Sequence, residues 1–203
     1  MSRDAPTDGE AGADRVRAEG AGGKPVTPAY LERAALHYLG RFMASRARLE
    51  DVLLRKVQRR TGLWEISAEH RQAVAAVVSK CAELGYVDDA AFARVRARSL
   101  LGRGKPPRQI AMDLKQKGVD EAEAQAALAA LDAETEEPLP REAAVAYARR
   151  RRFGPFRRNP DVPLEPERRD RQIKSMMRAG FGPDLAIPLV DATDPDHPLP
   201  EEY

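Results

Sequence analysis

Apolar residues recur along most of this chain at the spacing of one helical face. Leu31, Ala35, Tyr38, Leu39 and Phe42 fall at i, i+4, i+7, i+8 and i+11. Leu49, Val52, Leu53 and Val57 repeat the pattern, and so do Val74, Val77, Val78, Cys81 and Leu84. Ile110 and Leu114, then Ala124, Leu128 and Leu131, then Ile173, Met176 and Met177 continue it. No stretch of four or more residues alternates cleanly with β-branched types, so the pattern predicts an all-α core.

The punctuation between these stretches predicts a repeat. Three basic segments end at a glycine: RRTG at Gly62, KQKG at Gly118 and MRAG at Gly180. Each reads as a left-handed C-terminal cap, with basic side chains in the last turn opposing the helix dipole. A helix precedes each basic helix and an apolar helix follows it, three times over. A three-helix unit this small buries little core alone, so neighbouring units must stack. The expected boundaries are 29–84, 85–134 and 140–192, the third unit holding a Pro-rich insertion at 153–166. ETEEPLPRE reads as the linker before it, and Pro188 predicts a short or broken last helix. Residues 1–28 and the acidic stretch 193–203 show no periodicity and read as disordered tails.

Composition then narrows the function. The 203 residues suffice for one ordinary domain or a few very small modules. The single cysteine, Cys81, excludes an internal disulfide framework or a multi-cysteine zinc site. No apolar run approaches the roughly 18 residues of a membrane span, and the N-terminus lacks the apolar stretch of a secretory signal. The expected location is the cytoplasm. His37, His70 and His197 have no second ligand at metal spacing, and no hydrolase or zinc-protease string is present. Neither catalytic residues nor a metal or cofactor is predicted. The pair Asp88–Asp89 offers acid–base or magnesium chemistry on paper. In GYVDDAAFA it reads better as structure: Gly85 ends one helix, Asp88 caps the next, and Asp89 sits in its first turn. GRGK at 102–105 lacks the preceding strand and the Ser/Thr of a phosphate loop. It reads as a basic interhelical turn, open to a phosphate backbone or an acidic protein surface.

The formal net charge of +2 conceals segregation. Arg94 to Lys117 holds eight basic residues and one acid, Asp113, whereas 119–137 holds seven acids and no base. Arg149 to Arg158 contains six arginines and no acid. Solvated helix faces are the plain reading of such runs. Against it, Arg94 and Arg98 stand one turn apart with no acid at i+4; Arg103, Lys105 and Arg108 follow in a turn, and Lys115 and Lys117 end the next helix. That patch should project positive potential toward a polyanion or an acidic protein groove. No aromatic platform for stacking bases is evident, and the acidic C-terminal stretch is an expected intramolecular mask for the basic ones.

The string GYVDDAAFARVRARSLLGRGKPPRQIAMDLKQKGV, 85–119, resembles the central signature of the RecX family of recombination regulators. That signature runs Gly-Tyr-hydrophobic-Asp-Asp, Phe-Ala, Arg-Ser, a Gly-x-Gly turn with proline, Arg, Ile and a helix ending Lys-Gly. Here these are Gly85, Tyr86, Val87, Asp88, Asp89, Phe92, Ala93, Arg98, Ser99, Gly102, Gly104, Pro106, Arg108, Ile110, Leu114, Lys117 and Gly118. Ser45-Arg46-Ala47-Arg48-Leu49 is similar to the family's entry to its second helix, with Arg48 where an acid is usual. The likeness covers 29–133 well and 140–192 loosely. It implies tandem three-helix repeats in a curved, elongated array, with no catalytic site or cofactor. It further implies binding to RecA in the groove of the RecA–single-stranded-DNA filament, with inhibition of strand exchange, ATP hydrolysis and co-protease action. The expected contact residues are Arg46, Arg48, Arg94, Arg98, Arg103, Lys105, Arg108, Lys115 and Lys117, with Gly85, Asp88 and Gly118 structural. RecA and its filament are the expected partners, DNA a direct one in addition, no membrane is involved, and the chain is expected to act as a monomer. The competing reading is a general nucleic-acid-binding helical repeat without RecA specificity.

Overall fold

The computed structural model describes residues 25–160 and 162–200, and among these it contains α-helices, one 3-10 turn and no strand. The helices come in three successive threes. The first is α1 (Pro28–Leu39), α2 (Arg46–Thr61) and α3 (Ala68–Glu83); the second is α4 (Asp89–Leu101), α5 (Pro107–Gln116) and α6 (Glu121–Asp132). The third is α7 (Leu139–Arg151), α8 (Pro166–Arg178) and α9 (Pro183–Asp191), with the 3-10 turn Gly154–Phe156 between α7 and α8. The fold is all-α, built of tandem three-helix repeats, as the periodicity predicts.

Local chemistry sets the helix ends. The side chains of Thr27, Ser45, Ser67, Asp88 and Asp120 each accept a hydrogen bond from an N–H in the first turn of the helix they precede. Gly62, Gly118 and Gly180 all take positive φ, at 69°, 74° and 95°, as their caps predict. Pro188 lies inside α9, which stays continuous but is only nine residues long. The helix is therefore short, not broken: one missing N–H costs a single bond near its middle.

The core divides in two rather than three. One apolar cluster joins Leu31, Leu49, Leu53, Val57, Val74 and Val78 of α1–α3, with Val87 from the following loop. The other runs without a break through α4–α9, from Phe92, Ile110 and Leu114 to Tyr147, Met176, Phe181 and Leu189. Tyr147 is central to that continuity. Its ring meets Phe153 edge-on at 6.2 Å and Phe181 at 5.4 Å, while its hydroxyl lies 3.1 Å from that of Ser175. Three residues assigned to helical core faces are exposed: Phe42, Leu84 and Met177. The helix phase fails at each. α1 has stopped before Phe42, Leu84 is the C-cap of α3, and Met177 is rotated about 100° from buried Met176.

The described residues next to both chain ends, and those of the insertion, pack more closely than their composition suggests. Residues 1–24 of the expected N-terminal tail, and 201–203 of the other, lie outside the described residues. Val26, however, packs on the first core, and Arg60 donates to the Pro25 carbonyl at 2.8 Å. In the stretch 193–200, Leu199 packs against the second core and Arg141 donates to the Pro200 carbonyl at 2.7 Å. One apolar residue among prolines is enough to dock a segment whose composition reads as solvated. Arg157 organises the insertion. It donates to the carbonyls of Gly154, Pro160 and Val162, and Phe153, Phe156 and Leu164 pack on the core.

Candidate functional site: basic faces on a helical scaffold

The nine expected contact residues fall into distinct settings. On α5, Ile110 and Leu114 are buried, which turns Arg108, Met112 and Lys115 outward on the opposite arc, at spacings of four and three. Among the described residues no carboxylate pairs with Arg108, Lys115 or Lys117. Among the described residues the Lys105 ammonium donates only to the Gln109 side chain, at 3.3 Å. Arg94 and Arg103 are likewise exposed without an acidic partner among the described residues.

Arg98 differs. Its guanidinium pairs with Glu134, just past α6, so its charge is met by an acid 36 residues away that i+4 inspection cannot find. Arg48 stands 3.8 Å from Asp51. The single acid of the basic stretch, Asp113, is also taken. Arg96 grips it bidentately at 2.8 and 2.9 Å, tying α4 to α5. That hydrogen-bonded guanidinium holds the Asp113 carboxyl below the ordinary carboxylate range, with Lys117 and Lys105 adding smaller attractions. A lowered native value means the pair stabilises the fold fully above about pH 4. The contribution is lost as pH falls through the native value. Asp113→Asn should therefore cost about 1–2 kcal/mol at neutral pH. It should also flatten the acid limb of a stability-versus-pH curve, read by chemical denaturation.

Arg46 and Arg48 come to the second unit through a joint. The buried Ser45 hydroxyl donates to the Lys117 carbonyl, and the Arg46 N–H donates to the Asp89 carboxylate at 2.8 Å. Asp88 caps α4 by accepting from the Ala91 N–H at 2.8 Å. Of the acidic pair, then, Asp88 caps its own helix while Asp89 receives the start of another. A Cβ built on Gly118 would lie 2.2 Å from that of Ala47. Arg46, Arg48 and Lys117 thus flank a contact between α2 and the α5–α6 turn. No such contact joins Arg94 or Arg103 to it. Gly85 closes α3, with Tyr86 N–H donating to the Cys81 carbonyl at 2.8 Å.

Two sequence readings need correction. The turn 102–105 is not open along its length, because Gly104 is buried and packed on the backbone of Tyr147. The described part of the acidic tail lies on the third unit, where Asp196 and His197 share a cleft with Arg149 and Arg150, and not over α5. Sequence reading also missed a stripe on α8. Arg168, Arg171, Lys174 and Arg178 are exposed at spacings of three, three and four, without an acidic partner among the described residues. The period is present in PERRDRQIKSMMR, but the denser arginine run before it masks the signal. Arg169, between them, is engaged by Asp191 at 2.6 and 2.7 Å, which clasps α8 to α9.

Charge follows the units. Residues 29–84 carry ten Lys and Arg against six Asp and Glu, 85–134 eight against eight, and 140–191 twelve against seven. The excess lies in the outer units and the middle is neutral. Cys81 is buried, and burial pushes its thiol up, away from thiolate chemistry. Among the described residues no three His, Cys, Asp or Glu side chains gather as a metal site, and no helix is long and apolar enough to cross a membrane.

Fold and surface together define an all-helical repeat protein that carries exposed basic faces on successive three-helix units. The family model described as RecX, second three-helix domain, matches residues 88–128. The regulatory protein RecX of Myxococcus xanthus is 40% identical over 172 residues, covering 83% of this chain and 88% of that protein. That of Thermobifida fusca is 34% identical over 175 residues, covering 82% and 83%. The crystal structure of RecX from Lactobacillus salivarius shares the fold with a TM-score of 0.54 at 21% identity, over 78% of this chain and 91% of that one. The chain belongs to the RecX family of regulatory proteins.

Proposed function

We propose that this protein binds RecA and the RecA–single-stranded-DNA filament and inhibits its recombinase, ATPase and co-protease activities, without chemistry of its own. The observation that carries this reading is the 40% identity to a regulatory protein RecX along 83% of the chain. The relationship therefore extends over most of the chain and not one motif. The scaffold supports it physically. A rod of stacked helical units can lie along a filament groove and touch successive protomers, its cations meeting acidic protein surface and DNA phosphate. Arg46, Arg48 and Lys117 at the joint, Arg108 and Lys115 on α5, and Arg94, Arg103 and Lys105 nearby are the proposed contacts. Arg98, engaged by Glu134, contributes less. Binding one filament conformation better than another shifts the population away from the active state.

The test is ATP hydrolysis by preformed RecA filaments on single-stranded DNA, with excess DNA present so that competition for DNA cannot mimic inhibition. Hydrolysis is expected to fall with this protein well below one copy per RecA protomer. The positive outer units favour a second reading, a general polyanion binder. It predicts unchanged hydrolysis, with DNA affinity that falls steeply with salt.

A further inference from the structure

Trp64 is the chain's single tryptophan, and it is 96% exposed. Its loop is not loose. Gly62 caps α2 through an N–H bond to the Gln58 carbonyl at 2.9 Å, and Leu63 N–H donates to the Thr61 hydroxyl at 3.3 Å. The Gln58 side-chain amide donates to the Trp64 carbonyl at 3.1 Å. Ile66 packs on the first core, and Ser67 then caps α3. A fixed backbone thus holds a bare indole in water, where burial would have been favourable.

The helix end that leads into this loop is cationic. The last two turns of α2 carry Arg55, Lys56, Arg59 and Arg60 against one loop acid, Glu65. Asp51 engages Arg55, and Arg60 lies 4.0 Å over the Tyr30 ring. Among the described residues no carboxylate pairs with Lys56 or Arg59.

We infer that Trp64 is a stacking platform for an unpaired base of single-stranded DNA, with Arg59, in the last turn of the helix that leads into its loop, meeting an adjoining phosphate. An apolar pocket on a protein partner would suit the indole alone. Cations on the end of the helix that leads into its loop suit a ligand that presents a flat π-face and a negative backbone together. Duplex DNA hides its base faces, so it should not serve.

The full-length protein reports on this directly, because all its tryptophan emission comes from Trp64. Titration with a single-stranded oligothymidylate at low salt is expected to quench that emission, and duplex DNA of equal length to leave it unchanged. Trp64→Ala should bind a labelled oligothymidylate about tenfold more weakly by anisotropy, and Trp64→Phe within about threefold of the parent. An exposed side chain leaves the melting temperature of both variants unchanged. The inference is overturned if the oligonucleotide fails to bind, or if it binds with emission and Trp64→Ala affinity unaltered. It is equally overturned if Trp64→Ala loses filament inhibition alone, which would make the indole a protein anchor. No RecA is present in the oligonucleotide assay, so its failure leaves the proposed function standing.

Discussion

Gly104→Ala should lower the melting temperature by on the order of 10 °C, whereas Gly102→Ala, two residues earlier in the same turn, should leave it unchanged or slightly raised. The two glycines look equivalent in GRGK and are not. Gly104 has φ +71°, which costs an L-residue about 1–2 kcal/mol. A Cβ there would lie 2.4 Å from both the Cα and the backbone nitrogen of Tyr147. No rotamer change relieves a clash with backbone, so α7 must retreat, at about 1–3 kcal/mol for overpacking. Retreat also loosens Tyr147 from Phe153, Phe181 and Ser175, where the second and third units share one core. The sum is about 2–5 kcal/mol, and a chain of this size loses about 2–4 °C per kcal/mol. Gly102 has φ −61°, and a Cβ built there would lie 3.6 and 4.0 Å from carbonyl oxygens of its own helix, ordinary van der Waals distances. Alanine there gains helix propensity without a clash. A circular-dichroism melt decides, and a Gly104→Ala variant melting with the parent would remove any packing role for the turn.

The fold was legible because helical periodicity and terminal glycines are local signals. The three left-handed caps and the Asp88 cap each depend on a few consecutive residues, and each stands where the sequence predicts. What was hidden is long-range. Glu134 neutralises Arg98 across 36 residues, and Asp113 is consumed by Arg96, so a cation count along the chain overstates the free charge near α4. Segment 193–200 is pinned by Leu199 and a carbonyl, which composition cannot weigh. Trp64 went unread because a lone aromatic has no period. Only the fold shows that it faces solvent while every other described aromatic ring packs more closely.

The joint between the first and second units carries the last prediction. Gly118→Ala should destabilise the protein by about 3 kcal/mol: about 1 for a left-handed alanine and the rest from its Cβ meeting that of Ala47. α2 cannot slide away freely, because Ser45 is fully buried against the Lys117 carbonyl and Arg46 N–H is held by Asp89. Separation strands those polar groups. Ala47→Gly is exposed in the first turn of α2 and should cost about 1 kcal/mol or less. In the double variant the missing methyl restores the space, so the two changes should couple favourably by about 1–2 kcal/mol, leaving the backbone cost of a left-handed alanine in place of Gly118 and the helix cost of glycine in place of Ala47. The same cycle reads function. Arg46 and Arg48 lie on one side of this joint and Lys115 and Lys117 on the other, and under the proposed function a filament groove would meet them together only if the joint holds them in fixed relation. Gly118→Ala should then weaken inhibition of filament ATP hydrolysis at temperatures where the protein remains folded, and adding Ala47→Gly should restore much of it. A double variant destabilised by the full sum of the two single changes would mean that the left-handed backbone, and not the space against α2, is what requires glycine there.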